Sequence, residues 1–309
     1  MCMGQFNKPK EIETMPFITV GKENSGEIDL YYEDHGSGTP VVLIHGWPLS
    51  GASWERQVPA LLEAGYRVIT YDRRGFGHSS KPAKGYDYDT LAKDLGTLMT
   101  TLNLNDAVLV GFSMGGGEVA RYLGTVGSQR VSGAVFVSAV PPFLLKTADN
   151  PDGVDGSVFE GIMQGIIADR PAFLTAFFNN FYNVDIFRSK LISEEAIRLS
   201  WNIAAMASAK GTLDCVSAWL TDFRNDLKKI AVPTLVVHGD ADRICPFGVT
   251  GKRTHEAIPG SRFVVVEGGP HGLNWTHAGE LNRALLDFLR TLPAQEKSAG
   301  AETSSKKMH

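Results

Sequence analysis

Val108-Leu-Val-Gly-Phe-Ser-Met-Gly-Gly-Gly-Glu118 is the stretch on which the fold turns. Aliphatic residues run into Gly111-Phe-Ser-Met-Gly115, and small residues then open a helix-like pattern. The five residues match G-x-S-x-G, the nucleophile elbow, in which a serine sits on a tight turn between a buried strand and the next helix. The backbone of such a serine is strained, so its neighbours must lack bulky side chains. Gly111 and Gly115 give that clearance, and Gly116 and Gly117 let the helix lie close to the sheet. The Ser113 hydroxyl is thereby held at the carboxyl edge of the sheet, at a helix N-terminus that favours developing negative charge. Gly and Ser are common residues, so the pattern takes its weight from the strand before it and the helix after it.

Outward from the elbow, apolar runs alternate with helical spacing. Val41–Ile44, Arg67–Tyr71, Ala107–Val110 and Val131–Ala139 read as strands. Trp54–Ala64, Tyr88–Leu102 and Glu118–Leu123 read as the helices between them. Two antiparallel strands, Phe17–Val20 and Ile28–Glu33, precede this unit. The alternation stops at Pro141-Pro142 and resumes with strands Thr234–Gly239 and Arg262–Val266, a short helix Thr250–Ala257 and an amphipathic helix Ala278–Leu292. The expectation is an α/β fold, a mostly parallel eight-stranded sheet with helices on both faces. Its core spans residues 16–140 and 230–292.

Residues 141–229 hold helix-like segments such as Phe159–Ile167, Pro171–Phe181, Ser193–Ala207 and Gly211–Leu220, with no convincing strand. About 90 residues is too long for a loop. The stretch reads as a helical cap over the carboxyl edge, where open α/β sheets bind ligands. Residues 1–15 and 293–309 are polar and are expected to be a disordered extension and tail.

Composition narrows the field. The 309 residues carry 43% hydrophobic and 21% charged side chains and a formal net charge of −4. No basic stripe is present, so nucleic acid is not an expected partner. No apolar run reaches the ~18 residues of a membrane span, so no membrane partner is expected. The first ten residues have no export-type apolar core, and a cytoplasmic location is expected. Cys2, Cys215 and Cys245 are too scattered for a disulfide framework or a zinc site, and no metal or other cofactor is expected.

A serine hydroxyl is a poor nucleophile at neutral pH and needs a base that is itself oriented by a third group. In this fold the chain order is serine, acid, histidine, each at a strand end. After Ser113 the histidines are His238, His255, His271, His277 and His309. His271 lies in Gly-Pro-His-Gly directly after the last strand and is the favoured base. His238 ends a buried strand and reads as structural, His277 as a capping or packing residue, and His255 as a surface residue. Asp240 and Asp242 compete for the acid. Asp240 is placed to cap the turn; Asp242 lies two residues further out and is favoured on placement. Two backbone N–H groups must meet at one point to hold an oxyanion. Met114, after the nucleophile, supplies one. The turn His45-Gly-Trp-Pro48 supplies the other from Trp47, since Pro48 has no N–H.

Together, His45-Gly-Trp-Pro48, Asp72-Arg-Arg-Gly-Phe-Gly-His-Ser79, Gly111-Phe-Ser-Met-Gly115, His238-Gly-Asp-Ala-Asp242 and Gly269-Pro-His-Gly272 resemble the α/β-hydrolase superfamily. Within it they are similar to the cofactor-free bacterial haloperoxidases and perhydrolases, a group of serine esterases. The resemblance runs from Phe17 to Leu292. It implies a triad of Ser113, Asp242 and His271 with oxyanion donors Trp47 and Met114, and no cofactor. It also implies hydrolysis of an ester through an acyl-enzyme, and a second reaction in which hydrogen peroxide replaces water and gives a peracid that oxidises halide off the enzyme. The implied partners are a small ester or carboxylic acid and hydrogen peroxide. A homo-oligomer is also implied, without support from the sequence itself. Pro48 resembles members with good peroxide selectivity; proline restricts the residue before it, which would aim the Trp47 carbonyl at peroxide. Cys245 departs from the family pattern and is expected to leave the triad untouched.

Phe112, Phe143 and Trp219 are the expected pocket residues, with Phe173, Phe177, Phe181 and Trp201 as further aromatics that ordinary core packing also explains. Small apolar acyl esters are the expected substrates. Two other readings stay open: a carbon–carbon bond hydrolase or lactonase on the same triad, and a ligand receptor that keeps the fold.

Overall fold

The structure is a computed structural model and describes residues 16–293. The expectations for residues 1–15 and 294–309 lie outside the described residues. The eight strands are β1 (Phe17–Glu23), β2 (Gly26–His35), β3 (Pro40–Ile44), β4 (Arg67–Tyr71), β5 (Ala107–Phe112), β6 (Val131–Val137), β7 (Thr234–Gly239) and β8 (Arg262–Val266). They form one sheet in the order β1-β2-β4-β3-β5-β6-β7-β8. β1 pairs antiparallel with β2 and β2 with β4; every later pairing is parallel. β3 and β5 are buried along their whole length. Helices cover both faces of such central strands, which is why they read as unbroken apolar runs rather than alternating ones. Each buried Val, Leu or Ile there contributes about 1.5–3 kcal/mol.

The helices are α1 (Val58–Glu63), α2 (Tyr88–Thr101), α3 (Met114–Thr125), α4 (Gly156–Phe181), α5 (Val184–Phe187), α6 (Glu194–Ala205), α7 (Ala209–Ala218), α8 (Arg224–Leu227), α9 (Gly251–Ala257), α10 (Leu273–Thr276) and α11 (Ala278–Leu289). The Asp87 side chain caps α2 by accepting from Thr90 N at 2.9 Å, and Leu91, Leu95 and Leu98 turn inward at helical spacing. α4 to α8 follow one another between β6 and β7 with no strand among them.

Several boundaries shift by a few residues from the sequence reading, and two differences have a local cause. The helix expected over Trp54–Ala64 begins at Val58, after a 3-10 turn over Gly51–Trp54. Pro59 is the reason: it has no N–H to give to a carbonyl a turn earlier and so belongs in a first helical turn. The segments expected at Phe159–Ile167 and Pro171–Phe181 form one helical stretch broken at Asp169 (φ −159°, ψ 89°). Pro171 cannot donate to the carbonyl a turn earlier. The Asp169 carboxylate restarts the helix by accepting from Ala172 N at 3.0 Å.

Parallel strands put their carboxyl ends on one edge. The turns after β3, β5, β7 and β8 therefore meet there, although they come from residues 45, 113, 240 and 267 onward.

Candidate active site

Ser113 joins β5 to α3 with φ 54° and ψ −118°, a left-handed conformation unusual for a residue with a side chain. The surroundings enforce it. Ser113 N donates to Val137 O at 2.9 Å, and Ser113 O accepts from Gly116 N at 3.0 Å and Val140 N at 3.2 Å. Two glycines make the turn possible. A Cβ on Gly111 would lie 2.5 Å from Gly115 O, and a Cβ on Gly115 would run into the Ile44 carbonyl oxygen. Gly115→Ala is therefore expected to destabilise the fold by about 1–3 kcal/mol, as overpacking against backbone does. A urea midpoint unchanged from wild type would show that the elbow has slack.

His271 lies on the loop between β8 and α10, fully buried. Its Nε2 is 2.8 Å from Ser113 Oγ and its Nδ1 is 2.8 Å from Asp242 Oδ2. The second contact fixes the tautomer: Nδ1–H donates to the carboxylate and Nε2 is left to accept from the hydroxyl. The rings of Phe181 and Phe112 hold the imidazole, with centroids at 5.0 and 5.2 Å. Asp242 Oδ1 accepts from Ile244 N and Cys245 N, both at 2.8 Å. Burial alone would raise the Asp242 carboxyl, but the His271 imidazole and hydrogen bonds from both His238 and His271 hold it well below the usual carboxylate range. Asp240 takes the other role open to it: its Oδ1 accepts from Gly268 N at 2.6 Å and ties the two loops together.

The turn after β3 runs beside Ser113, since a Cβ on Gly46 would lie 2.9 Å from Ser113 Cβ. Leu49 N donates to Gly46 O at 3.1 Å and closes it. The Trp47–Pro48 bond is cis. Met114 opens α3, and the first N–H groups of a helix have no partner within it. A buried network fixes this turn from behind. His45 Nδ1–H donates to Gly46 O at 2.8 Å, and His45 Nε2 accepts from Arg73 N at 3.0 Å. Arg73 Nη2 donates to His45 O at 2.8 Å and Arg73 Nε to Glu118 Oε2 at 2.9 Å, while the Tyr71 hydroxyl meets Glu118 Oε1. Burial raises the Glu118 carboxyl above its ordinary value, and Arg73 and Tyr71 oppose that rise. Burial, with Arg73 nearby, drives the His45 imidazole well below its ordinary value and keeps it neutral.

A cavity of about 300 Å³ opens above Ser113, at the small end of ligand pockets. Its lining is mostly apolar, from Trp47, Leu144, Phe159, Ile162, Phe177 and Trp219. The Trp47 indole stands edge-on to Trp219 and Phe177, at 4.8 and 5.0 Å, and Trp47 Nε1 donates to Thr212 O at 3.1 Å.

A model of the alpha/beta hydrolase fold matches residues 39–278. The chain belongs to the α/β-hydrolase fold family. A Synechocystis sp. protein named as a candidate non-heme chloroperoxidase is 64% identical, covering 89% of this chain and all of that one. A bifunctional esterase/perhydrolase of Acinetobacter calcoaceticus is 37% identical, covering 85% of this chain and 97% of its own. The crystal structure of a bromoperoxidase from Bacillus anthracis superposes with a TM-score of 0.86 at 56% identity, covering 89% of this chain and 99% of the other.

Some expectations for this hydrolase need correction. Phe112 does not line the cavity: it is fully buried and packs behind His271 and against Trp54. Phe143 does not line it either; its ring lies 5.0 Å from the Arg224 guanidinium. Trp219, Phe173 and Phe177 do line it. The wall from Phe159 and Ile162 on α4 was not read from sequence, although their helical spacing marked them as one face. Cys245 was expected to leave the triad untouched, yet its N–H holds Asp242 and the residue lines the cavity. An aspartate capping the turn that follows it brings these residues to its carboxylate. Burial and the Asp242 carboxylate push the Cys245 thiol well above its ordinary range. His255, read as a surface residue, stacks on Phe263 at 4.8 Å and bonds Ser261 Oγ at 2.8 Å. Cys215 and Cys245 are free thiols. Among the described residues no helix is long and apolar enough to cross a membrane.

Proposed function

We propose that this enzyme is a serine carboxylesterase acting through an acyl-enzyme on Ser113, and that hydrogen peroxide replaces water in the second half of its reaction. The observation that carries this reading is the unbroken chain from Ser113 Oγ through His271 to Asp242, with both contacts at 2.8 Å, below an apolar cavity. The names of the Synechocystis, Acinetobacter and Bacillus relatives support the esterase and peroxide chemistry.

In the first half, the Ser113 hydroxyl proton moves to His271 Nε2 as Oγ attacks the ester carbonyl carbon. The oxygen that gains charge is held by the N–H groups of Trp47 and Met114 at the start of α3. The intermediate collapses, and the alcohol leaves with the proton carried by His271. In the second half His271 takes a proton from water, giving the acid, or from hydrogen peroxide, giving the peracid. The peracid leaves the enzyme and passes an oxygen to halide, forming hypohalous acid and the carboxylate. Residues 141–229 act as the cap that shapes the acyl pocket.

Activity on p-nitrophenyl esters of graded chain length, with and without peroxide, tests the reading. Short acyl groups should give the highest kcat/KM, since the cavity is small and lined by aromatic rings. Peroxide should divert product from acid to peracid, and both products should disappear together in Ser113→Ala. Pro48→Leu should lower the ratio of peracid to acid while leaving ester cleavage in place; an unchanged ratio would remove Pro48 from any role in choosing peroxide.

A further inference from the structure

His238 was expected to be a structural residue at the end of a buried strand, and its surroundings say more. It is fully buried at the end of β7. Its Nε2 lies 2.9 Å from Cys245 O and 3.2 Å from Asp242 Oδ2. Both neighbours are acceptors, so Nε2 must carry the proton. Its Nδ1 is buried and has no hydrogen-bond partner among the described residues. The ring cannot swing away: a Cβ on Gly251 would collide with it from α9, and the Phe247 ring stands 6.0 Å off. Asp242 Oδ2 is thus shared by two imidazoles, and His271 is the one that meets Ser113.

We propose that His238 is a positioning residue for the acid of the triad. Its Nε2–H donates to the Cys245 carbonyl and stands 3.2 Å from Oδ2, so it pins the loop that carries the acid and turns its positive edge to Oδ2, while the Ile244 and Cys245 N–H groups fix Oδ1 and Oδ2 is left to face His271 Nδ1. A carboxylate with this many donors is held in place before substrate arrives, and an ångström of error at such a site costs about 10²-fold in rate. The role is specific to the nitrogen at the ε position. The inference rests on the serine-hydrolase reading above.

The groups facing His238 are the Asp242 carboxylate and Cys245 from its own loop, the Phe247 ring and the backbone at Gly251. Those facing His271 are Asp242, Ser113 and the rings of Phe112 and Phe181. Removing the His238 donor leaves the carboxylate less dispersed and a stronger acceptor for His271 Nδ1–H. The base then keeps its proton to higher pH, so the acid limb of the kcat/KM profile, which reports the base, should move upward, while the loosened carboxylate no longer holds Nε2 in line with Ser113 and kcat falls.

Three variants separate positioning from packing. His238→Gln keeps an N–H near the Nε2 position, His238→Asn withdraws it, and His238→Leu removes it. In p-nitrophenyl ester assays His238→Asn and His238→Leu should lose about 10-fold or more in kcat, with the acid limb displaced upward. KM should change less than about twofold, because His238 does not line the cavity. His238→Gln should restore most of kcat and the wild-type acid limb. If His238→Leu does not fold, the Asn and Gln variants carry the comparison. Wild-type kcat in folded His238→Asn would overturn the proposal. So would equal losses in the Asn and Gln variants with neither acid limb displaced, which is the result of a packing role alone. The Ser113→Ala control tells this failure from a failure of the serine-hydrolase reading: if it keeps wild-type esterase activity, the triad itself is wrong.

Discussion

Asp242→Asn is expected to lower kcat by about 10⁴-fold while leaving the protein folded, the size of loss seen when a triad histidine is held in the wrong tautomer. The carboxylate here accepts from Ile244 N and Cys245 N on Oδ1 and from His271 Nδ1 on Oδ2, with His238 Nε2 3.2 Å from Oδ2. An asparagine has one acceptor oxygen. If that oxygen stays with the two backbone N–H groups, the amide NH₂ faces two imidazole N–H groups. His271 then moves its proton to Nε2, and Nε2 can no longer accept from Ser113. If the amide turns over, the NH₂ faces the backbone donors instead, and the loop that carries the acid loosens. Steady-state kinetics on a short p-nitrophenyl ester measure the effect, and KM should change little because Asp242 is not part of the cavity wall. A loss below about tenfold would mean that another carboxylate orients the base. Asp242 is ionised well below its ordinary pKa. Its depressed value contributes stability that is present above the ordinary Asp pKa of about 3.9 and lost only as pH falls through its native value.

The second large effect lies behind the turn that follows β3. Arg73 and Glu118 are 1% and 0% exposed and form a charged pair within the apolar core. Arg73→Met should cost about 3–5 kcal/mol at neutral pH, because it leaves an uncompensated buried charge. The double variant Arg73→Met with Glu118→Leu should recover much of that, since apolar replacement of a whole buried pair is often close to neutral. The pH dependence has a definite sign. Burial already raises the Glu118 carboxyl, and without Arg73 it rises further. The native single variant then holds a proton that its unfolded chain releases above the ordinary Glu pKa of about 4.3. Its deficit should be smallest in acid and grow as pH rises through that value. Urea unfolding at pH 4.5 and 7.5 measures both; equal deficits at the two pH values would mean that the Glu118 charge is not what burial penalises. The single variant should also lose esterase activity, because Arg73 Nη2 holds the His45 carbonyl at the start of the turn that carries Trp47.

The fold was legible because its deciding signals are local. Val108–Phe112 must be a covered strand, and Gly111 and Gly115 must be small for the chain to turn back at Ser113; a Cβ at either would strike backbone. Ser113, Asp242 and His271 were legible for a related reason. Each lies just past the end of a parallel strand, and parallel strands share one edge. What the sequence hid depends on contacts between distant segments. Arg73 and Glu118 are 45 positions apart and become partners only when β4 and α3 close on the sheet. The hint available was a glutamate inside the small-residue run that opens α3. His238 read as structural because nothing local says that the loop after it folds back and lays Asp242 on its ring. Phe112 and Phe143 stand off the cavity because an aromatic near Ser113 can pack behind His271 or under a surface arginine as easily as over a ligand. The cavity wall came instead from Phe159 and Ile162, on a helix whose inward face is set only by how α4 lies over the sheet.

The central claim is that Ser113 becomes a covalent acyl carrier. A fluorophosphonate probe titrated against wild type, with peptide mass analysis of the adduct, tests it most directly. The expected result is loss of ester cleavage in one-to-one proportion to label, with the adduct on the peptide holding Ser113 and no adduct in Ser113→Ala. Full ester cleavage by Ser113→Ala, or inactivation with the label on another residue, would contradict it.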